Sequence, residues 1–463
     1  MHKRQGFRIL RYKPCQMRSK KKPENQLNFL APSLKEQLNP NHELYLLSAE
    51  VDWNYFEKEF SKHYSDKGRP AHPIRLMTSL LILKSMYNLS DEKLVEEHWE
   101  MNSYFQYFSG ATHQKWGQPC AASDLVYFRK RIGEEGIEKI FKHSIDKHGK
   151  DGKDPHVSVD STAQEKNITY PTDAKLHKKI IDKCVKIANE QNIKLRRSYK
   201  RTSKQLVRDT YNGNHPKRRK KANASKRKLK TIAGRLIREL QRKLPSGSHI
   251  EALELFNKIL SQEKNGKNKI YSIHEPEVYC MSKGKAHKKY EYGCKASVVL
   301  TQNTGIIVGA LTFKTNVYDG HTLEEVLKQT VELTGKTPKT ATVDRGYRGK
   351  QTVGTTKINI PKSPLKRDTD YQKRKKRKHF RRRVAIEPII GHLKQDHRAA
   401  INYLKGQIGD SVDFKMAAAG FNFRKLMVKL KEKVLWLFFK IESWAYLKKL
   451  DYFYPSNIPN LAA

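Results

Sequence analysis

No apolar run in this 463-residue chain approaches the roughly 18 residues that a membrane-spanning helix needs. The most apolar stretch, LWLFFKIESWAYL at 435–447, is broken by Lys440 and Glu442, so no membrane partner is expected. No apolar segment follows the charged start MHKRQGFRILRYKPC, which argues against a secretory signal and for the cytoplasm. Cysteine is sparse. Cys15, Cys120, Cys184, Cys280 and Cys294 are an odd, scattered set, suited to reduced thiols and not to a disulfide framework. A zinc site from Cys280, Cys294 and His274 or His287 is conceivable, but the chain has no C-x-x-C pair to nucleate it. Acidic residues are scarce too: 47 stand against 93 Lys and Arg.

That imbalance leaves a formal net charge of +46 on a chain that is still 37% hydrophobic and 10% aromatic. Such a composition describes a folded protein whose partner is a polyanion, with nucleic acid as the default. The length allows two or three domains with at least one sizeable core.

Residues 1–40 mix Lys, Pro, Asn and Gln and read as a basic, poorly ordered lead-in. Residues 41–149 carry helical patterns: ELYLLSAEVDWNYFEKEF, PIRLMTSLLILKSMY opening at Pro73, a helix capped by Ser90, and one from about Ser123 bearing Phe128, Arg129, Lys130 and Arg131. This unit is either a DNA-binding module of helix-turn-helix type or a bundle that braces its neighbour. A mixed α/β domain follows over 150–410. VSVDST reads as a strand ending in Asp160, and 174–268 as a helical insertion with apolar positions too sparse for a core of its own. The insertion's basic segment holds Arg218, Arg219, Lys220 and Lys221, which either meet phosphate or form a solvated face. YEYGCKASVVLT and GIIVGALTF read as a strand pair turning at Gln302–Thr304. DGHTLEEVLKQTVELTG then reads as a helix, with Thr322 and Glu325 at capping-box spacing and Gly335 at its end. A strand ending in Asp344, a short strand TTKINIP and a basic loop at 362–383 come next. Residues 411–463 form one or two amphipathic helices able to pack on the sheet or on another subunit.

The stretch RRRVAIEPIIGHLKQDHR, 381–398, closes the α/β unit. Pro388 belongs in a first helical turn, where its missing N–H is not needed, so a helix starts between Val384 and Glu387 and sets that carboxylate at its positive end. Arg383 lies four residues before Glu387, and Lys394 seven residues after it on the same face. Asp160, Asp344 and Glu387 thus stand at the ends of rigid elements beside one sheet. Three such carboxylates suit a pair of hard divalent ions such as Mg²⁺, about 4 Å apart, for in-line phosphoryl displacement. Arg383 and Lys394 are placed to hold neighbouring phosphates, Arg as a fork and Lys as a point charge.

The phrases DST (160–162), KGKAHKKYEYGCKASVV (283–299), NVYDGHTL (316–323), VDRGYRG (343–349) and the 381–398 stretch resemble, in order, those of the DDE transposases of bacterial insertion sequences, the insertion sequence five family in particular. GRPAHPIRLMTSLLILKSMYNLSDEKLVEEHWEMNSYFQYFSG extends the likeness upstream, so that it spans roughly 40–425. The resemblance implies an RNase H-like fold, Asp160, Asp344 and Glu387 as ligands of two Mg²⁺ ions with Mn²⁺ as substitute, and DNA cleavage followed by strand transfer. It further implies double-stranded DNA partners (terminal inverted repeats and target), a homodimer, and a place on the nucleoid of a prokaryote. Arg345, next to the second acid, joins the DNA-contacting set. In the family's Tyr, Arg, Glu, Lys signature the tyrosine slot here holds Phe380, whose ring can stack but offers phosphate no hydroxyl. Alternatives on the same features are a nuclease that cuts without joining and an idle DNA-binding remnant. The presence of all three acids argues against the remnant.

Overall fold

The computed structural model describes residues 16, 17, 32–65, 67–245, 247–263, 266–282, 289–349 and 351–453. Most of the basic lead-in lies outside them, as do Cys15 and His287.

Eight strands organise the centre: β1 (His156–Lys166), β2 (Tyr279–Ser282), β3 (Tyr290–Thr301), β4 (Ile307–Phe313), β5 (Thr340–Thr342), β6 (Thr352–Val353), β7 (Thr356–Asn359) and β8 (Ile401–Asn402). Their order is β4–β3–β1–β5–β7–β6, with β2 on the same edge of β3 as β4, and β8 beside the far end of β1. β4, β3 and β1 run antiparallel, whereas β1, β5 and β7 run parallel. This mixed α/β sheet, three antiparallel strands continued by two parallel ones, is RNase H-like. The β3–β4 turn falls at 302–306, where Gly305 takes φ 63°. β1 is the central strand, and its Val157, Ser158 and Val159 are all buried. It continues six residues past Asp160, which therefore sits mid-strand and not at a strand end as expected. The continuation STAQEK stays extended because it keeps pairing with β3 as far as Glu165 and gains β8 at its end.

Upstream, α1 (Glu43–Glu50), α2 (Trp53–Ser61), α3 (Ile74–Met86) and α4 (Ala122–Asp146) form the main helical elements, with Ser90 capping a turn at Lys93 N–H. Leu80, Leu83, Phe128 and Ile140 join Val157, Val298 and Phe423 in one continuous apolar cluster, so the helical unit packs on the sheet domain. Part of the supposed basic edge is internal: Phe128 is buried, and buried Arg129 grips Asp91 at 2.5 Å. Burial alone would raise the Asp91 carboxyl, but hydrogen bonding to Arg129 and the Lys84 charge bring it down to about 2.

The insertion between β1 and β2 contains α5 (Asp173–Glu190), α6 (Lys200–Asp209), α7 (Pro216–Lys243) and α8 (Ile250–Ser261). Contrary to the sequence reading, these helices enclose a separate apolar core: Ile180, Ile181 and Cys184 meet Leu229, Ile232, Leu236, Ile237 and Leu240, closed by Phe256. On α7 the buried stripe opens with small residues, Ala222 and Ser225, and continues at spacings of three and four. Thirteen Lys and Arg against one acid, Glu239, hide that stripe in the composition.

Downstream are α9 (Asp319–Thr334), α10 (Asp370–Val384), α11 (Ile386–Asp396) and α12 (Gly406–Phe453). α9 starts three residues before Thr322, so this hydroxyl donates to Asp319 O inside the first turn and caps nothing; Gly335 ends the helix in the left-handed region, φ 67°. The basic loop expected at 362–383 is mostly helix α10, capped by Thr369 with Gln372. Residues 370–384 contain no Gly or Pro, and their Lys, Arg and Gln are good helix formers once a cap is present. α12 packs its first half, Phe414 to Met427, on the sheet and on α3. Gly420 permits the approach, since a Cβ there would lie 2.8 Å from the Ser85 carbonyl.

His143 ties the helical region to acid conditions. It is buried, and its Nε2 accepts the Asp52 N–H, which requires the neutral ring. Burial pushes its pKa down to about 4, and the Lys147 charge adds to the effect. The unfolded chain takes the proton near 6.5 and the folded one only near 4, so the stabilisation is complete above about 6.5 and is lost as pH falls through that window. Denaturant unfolding should weaken by up to about 3 kcal/mol between pH 7 and 4 from this residue. The His143→Gln variant should show a shallower fall, and identical pH profiles for the two proteins would contradict this assignment.

Candidate active site

β1 and β5 pair in parallel with His156 opposite Thr340 and Ser158 opposite Thr342. Carrying that register two residues further sets Asp344 level with Asp160. Period-two alternation places Ser158, Asp160, Thr342 and Asp344 on one face of the sheet. Gln302 braces this face by donating from Nε2 to Val157 O, Ser158 Oγ and Thr342 Oγ1, the last at 2.7 Å. Ser158 Oγ in turn donates to Arg382 O at 3.4 Å, so the two aspartates face the junction of α10 and α11.

That junction holds Glu387. Ala385 separates the two helices, and Ile386 and Leu393, both 1% exposed, anchor α11 to the core. The far end of α11 is latched to α3: His397 Nδ1 hydrogen-bonds Ser85 O at 2.9 Å and Asn88 Nδ2 donates to Gln395 O at 2.6 Å. Pro388 lies in the first turn, as expected. Glu387 is exposed and accepts from Arg383 Nη2, the i, i+4 pair. The Arg383 guanidinium also lies 5.7 Å from the Phe380 ring centre, on the same exposed surface. Lys394 is half-buried on α11, and Arg345 is exposed with Nη2 donating to Ser363 Oγ at 3.3 Å.

The electrostatics unite these groups. Desolvation pushes the Asp160 carboxyl up to about 6; the Ser161 N–H opposes this, the Asp344 charge adds to it, Arg383 opposes it and Glu387 adds to it. Asp160 Oδ1 accepts the Ser161 N–H at 2.8 Å, and Asp344 Oδ1 accepts the Gly346 N–H at 2.7 Å. The structure thus brings Asp160 and Asp344 side by side with Glu387 across from them, its carboxylate turned to Arg383. Among the described residues no three acids, histidines or cysteines close on one point as a metal cage. The donor set nevertheless fits hard divalent cations: oxygens only, two of the carboxylates adjacent and repelling one another, a repulsion that a bound cation relieves.

Four residues here were not singled out as site residues in the sequence. Asp319, at the start of α9, accepts on Oδ1 from Ser161 Oγ at 2.6 Å and from Lys295 Nζ at 2.5 Å. Gly346 completes the group. A Cβ on it would lie 2.9 Å from Asp344 Oδ1 and 3.2 Å from Asp319 Oδ2. The available signal was an aspartate opening a helix a short loop after a strand, within NVYDGHTL. Gly346→Ala should push the Asp344 carboxylate aside and lower cleavage tenfold to a hundredfold, given that about 1 Å of misplacement costs on the order of a hundredfold. Cleavage within twofold of the unaltered protein would show that the Asp344 position is unimportant.

The basic residues of the insertion lie apart from this face. Arg218, Arg219, Lys220 and Lys221 are all exposed on the first turns of α7, and Lys221 pairs with Asp209 at 3.0 Å.

Residues 32–131 match a family described as a transposase domain (DUF772), and residues 262–419 match the transposase DDE domain. The second match contains Asp344 and Glu387, whereas Asp160 and the basic insertion lie between the two. The chain is 37% identical over 175 residues to an uncharacterized protein, ORF8 in nfe locus, of Rhizobium meliloti, covering 37% of this chain and 84% of that protein. No solved structure matches the chain. No helix among the described residues is long and apolar enough to cross a membrane.

Proposed function

The chain belongs to the DDE transposases of insertion sequences, enzymes that bind DNA and use divalent metal ions for transposition, and on that premise we propose that Asp160, Asp344 and Glu387 are its metal ligands. One observation carries this reading: the β1–β5 register that levels Asp160 with Asp344, on the face of the sheet turned toward the junction that holds Glu387. Two Mg²⁺ ions, or Mn²⁺ in their place, would supply charge stabilisation to the attacking and leaving oxygens of an in-line displacement. The chain's own part is geometric and electrostatic. β1 and β5 hold two carboxylates at fixed separation, and Glu387 approaches when Arg383 releases it for a DNA phosphate. Arg383 and Lys394 then neutralise phosphates beside the scissile bond, and Phe380 stacks on a base or sugar.

In the first step a water oxygen attacks phosphorus at the element's end, the phosphorus–O3′ bond breaks, and a free 3′-hydroxyl and a 5′-phosphate result. In the second, that hydroxyl loses its proton and its oxygen attacks a target phosphorus, whose own bond to O3′ breaks; the departing O3′ takes up a proton as a free 3′-hydroxyl, so one phosphodiester is exchanged for another without external energy. The DNA engaged is the terminal inverted repeats and a target duplex on the nucleoid. Two ends require two copies of the chain, hence a homodimer.

The test is a labelled terminal-repeat duplex with and without target. Chelation should abolish cleavage and joining, Mg²⁺ or Mn²⁺ should restore both, and Ca²⁺ should support binding without efficient cleavage. Cleavage with no joined product under any of these conditions would assign a nuclease instead.

A further inference from the structure

We propose, resting on the metal-ligand reading above, that Asp319 is a positioning residue of the active site, with Ser161 as the link through which it acts and Lys295 as its charge partner. Ser161 is held at both ends: its N–H donates to the Asp160 carboxylate and its hydroxyl to Asp319 Oδ1. The first carboxylate is thereby tied to the start of α9. On the other side, a Cβ on Gly346 would meet both Asp344 Oδ1 and Asp319 Oδ2, so the second aspartate and Asp319 crowd the same glycine. One side chain therefore borders the surroundings of both adjacent aspartates.

Asp319 is itself fixed. The Lys295 ammonium, from β3 and 8% exposed, meets Oδ1 and also donates to Val317 O at 2.6 Å, just ahead of α9. The ammonium thereby holds the Asp319 side chain in place at the start of α9. Tyr347, 1% exposed, packs beside this group, and after burial the charges of Asp319 and Asp160 are what most raise its pKa, with Ser161 and Ser297 opposing them. Groups that orient ligands without touching the metal commonly account for tenfold to a hundredfold in metal affinity or activity.

The experiment uses the full chain without DNA, titrated with MnCl₂ and read by electron paramagnetic resonance, with thermal unfolding measured in parallel. Asp319→Ala should raise the half-saturating Mn²⁺ concentration about tenfold or more. Asp319→Asn keeps an Oδ1 acceptor for both Ser161 and Lys295, and should stay within about threefold in Mn²⁺ affinity while melting at a lower temperature, because Lys295 loses its counter-charge. Ser161→Ala should reproduce Asp319→Ala, and the double variant should be no weaker than either, because both remove the same link. In cleavage assays the kcat should fall while the KM for DNA holds. A lower melting temperature in Asp319→Ala with unchanged Mn²⁺ affinity would make the residue a structural staple only and overturn the proposal. Asp319→Asn as damaged as Asp319→Ala would overturn it too, by showing that charge matters and not position. Asp344→Asn is the control: if it binds Mn²⁺ as tightly as the unaltered chain, the ligand assignment fails and the Asp319 role fails with it. Weakened Asp344→Asn beside an unaffected Asp319→Ala would overturn the Asp319 role alone.

Discussion

Glu387→Gln should bind terminal DNA nearly as the unaltered protein does and neither nick nor join it. Glutamine keeps the side chain's shape and one carbonyl oxygen but loses the negative charge that helps hold a cation. That loss should cost several kcal/mol of transition-state stabilisation, a rate decrease on the order of a thousandfold or more. Asp160→Asn and Asp344→Asn should fall by a similar factor, and double variants should be little worse than single ones, because the three carboxylates act as one unit. The variant should fold: Glu387 is exposed and its partner Arg383 lies on the same surface, so only a surface ion pair is lost. Single-turnover cleavage of a labelled end duplex, with binding measured alongside, checks this. Near-normal cleavage by Glu387→Gln in Mg²⁺ would mean that another acid is the third ligand.

The second large effect is on affinity. α7 spans 28 residues, about 42 Å at 1.5 Å per residue, and carries thirteen cations against one acid. Its apolar stripe is spent on the insertion's own core, leaving the basic remainder of the helix outward. Replacing Arg218, Arg219, Lys220 and Lys221 together by neutral residues should weaken binding to specific and unrelated duplexes alike. The slope of log K against log salt should flatten by up to about 0.9 for each phosphate contact removed. Because these residues are exposed on a lobe with a separate core, stability and the chemistry of DNA already bound should be little changed. Unaltered affinity and slope would make this face a solvated one.

The elements that carry the three proposed ligands were more legible in the sequence than the way the fold joins them. Asp344 and Glu387 were readable from their own neighbourhoods, a β-branched run ending in an acid and a proline-opened helix. Asp160 was readable as an acid in a strand, but its place in mid-strand was not, because the pairing with β3 and β8 that extends the strand is long-range. The same holds for the register that levels it with Asp344, 184 positions further along the chain. The insertion's core escaped notice because helical burial needs only one residue in three or four, and on α7 some of those are Ala and Ser among lysines. The α10 helix was read as a loop for a related reason: charge density dominated the composition while its cap, Thr369 with Gln372, went unweighted. Asp319 is marked in the sequence only as an aspartate opening a helix; the fold alone brings Ser161 and Lys295 to it.

The most direct measurement of the central assignment is anomalous diffraction from manganese in crystals of the protein with a terminal-repeat duplex. The assignment predicts manganese peaks bounded by Asp160, Asp344 and Glu387, with Glu387 turned from Arg383 toward the aspartates and Arg383 on a DNA phosphate. Peaks held by other carboxylates, or manganese on the aspartates with Glu387 still paired to Arg383 in a complex that cleaves, would contradict it.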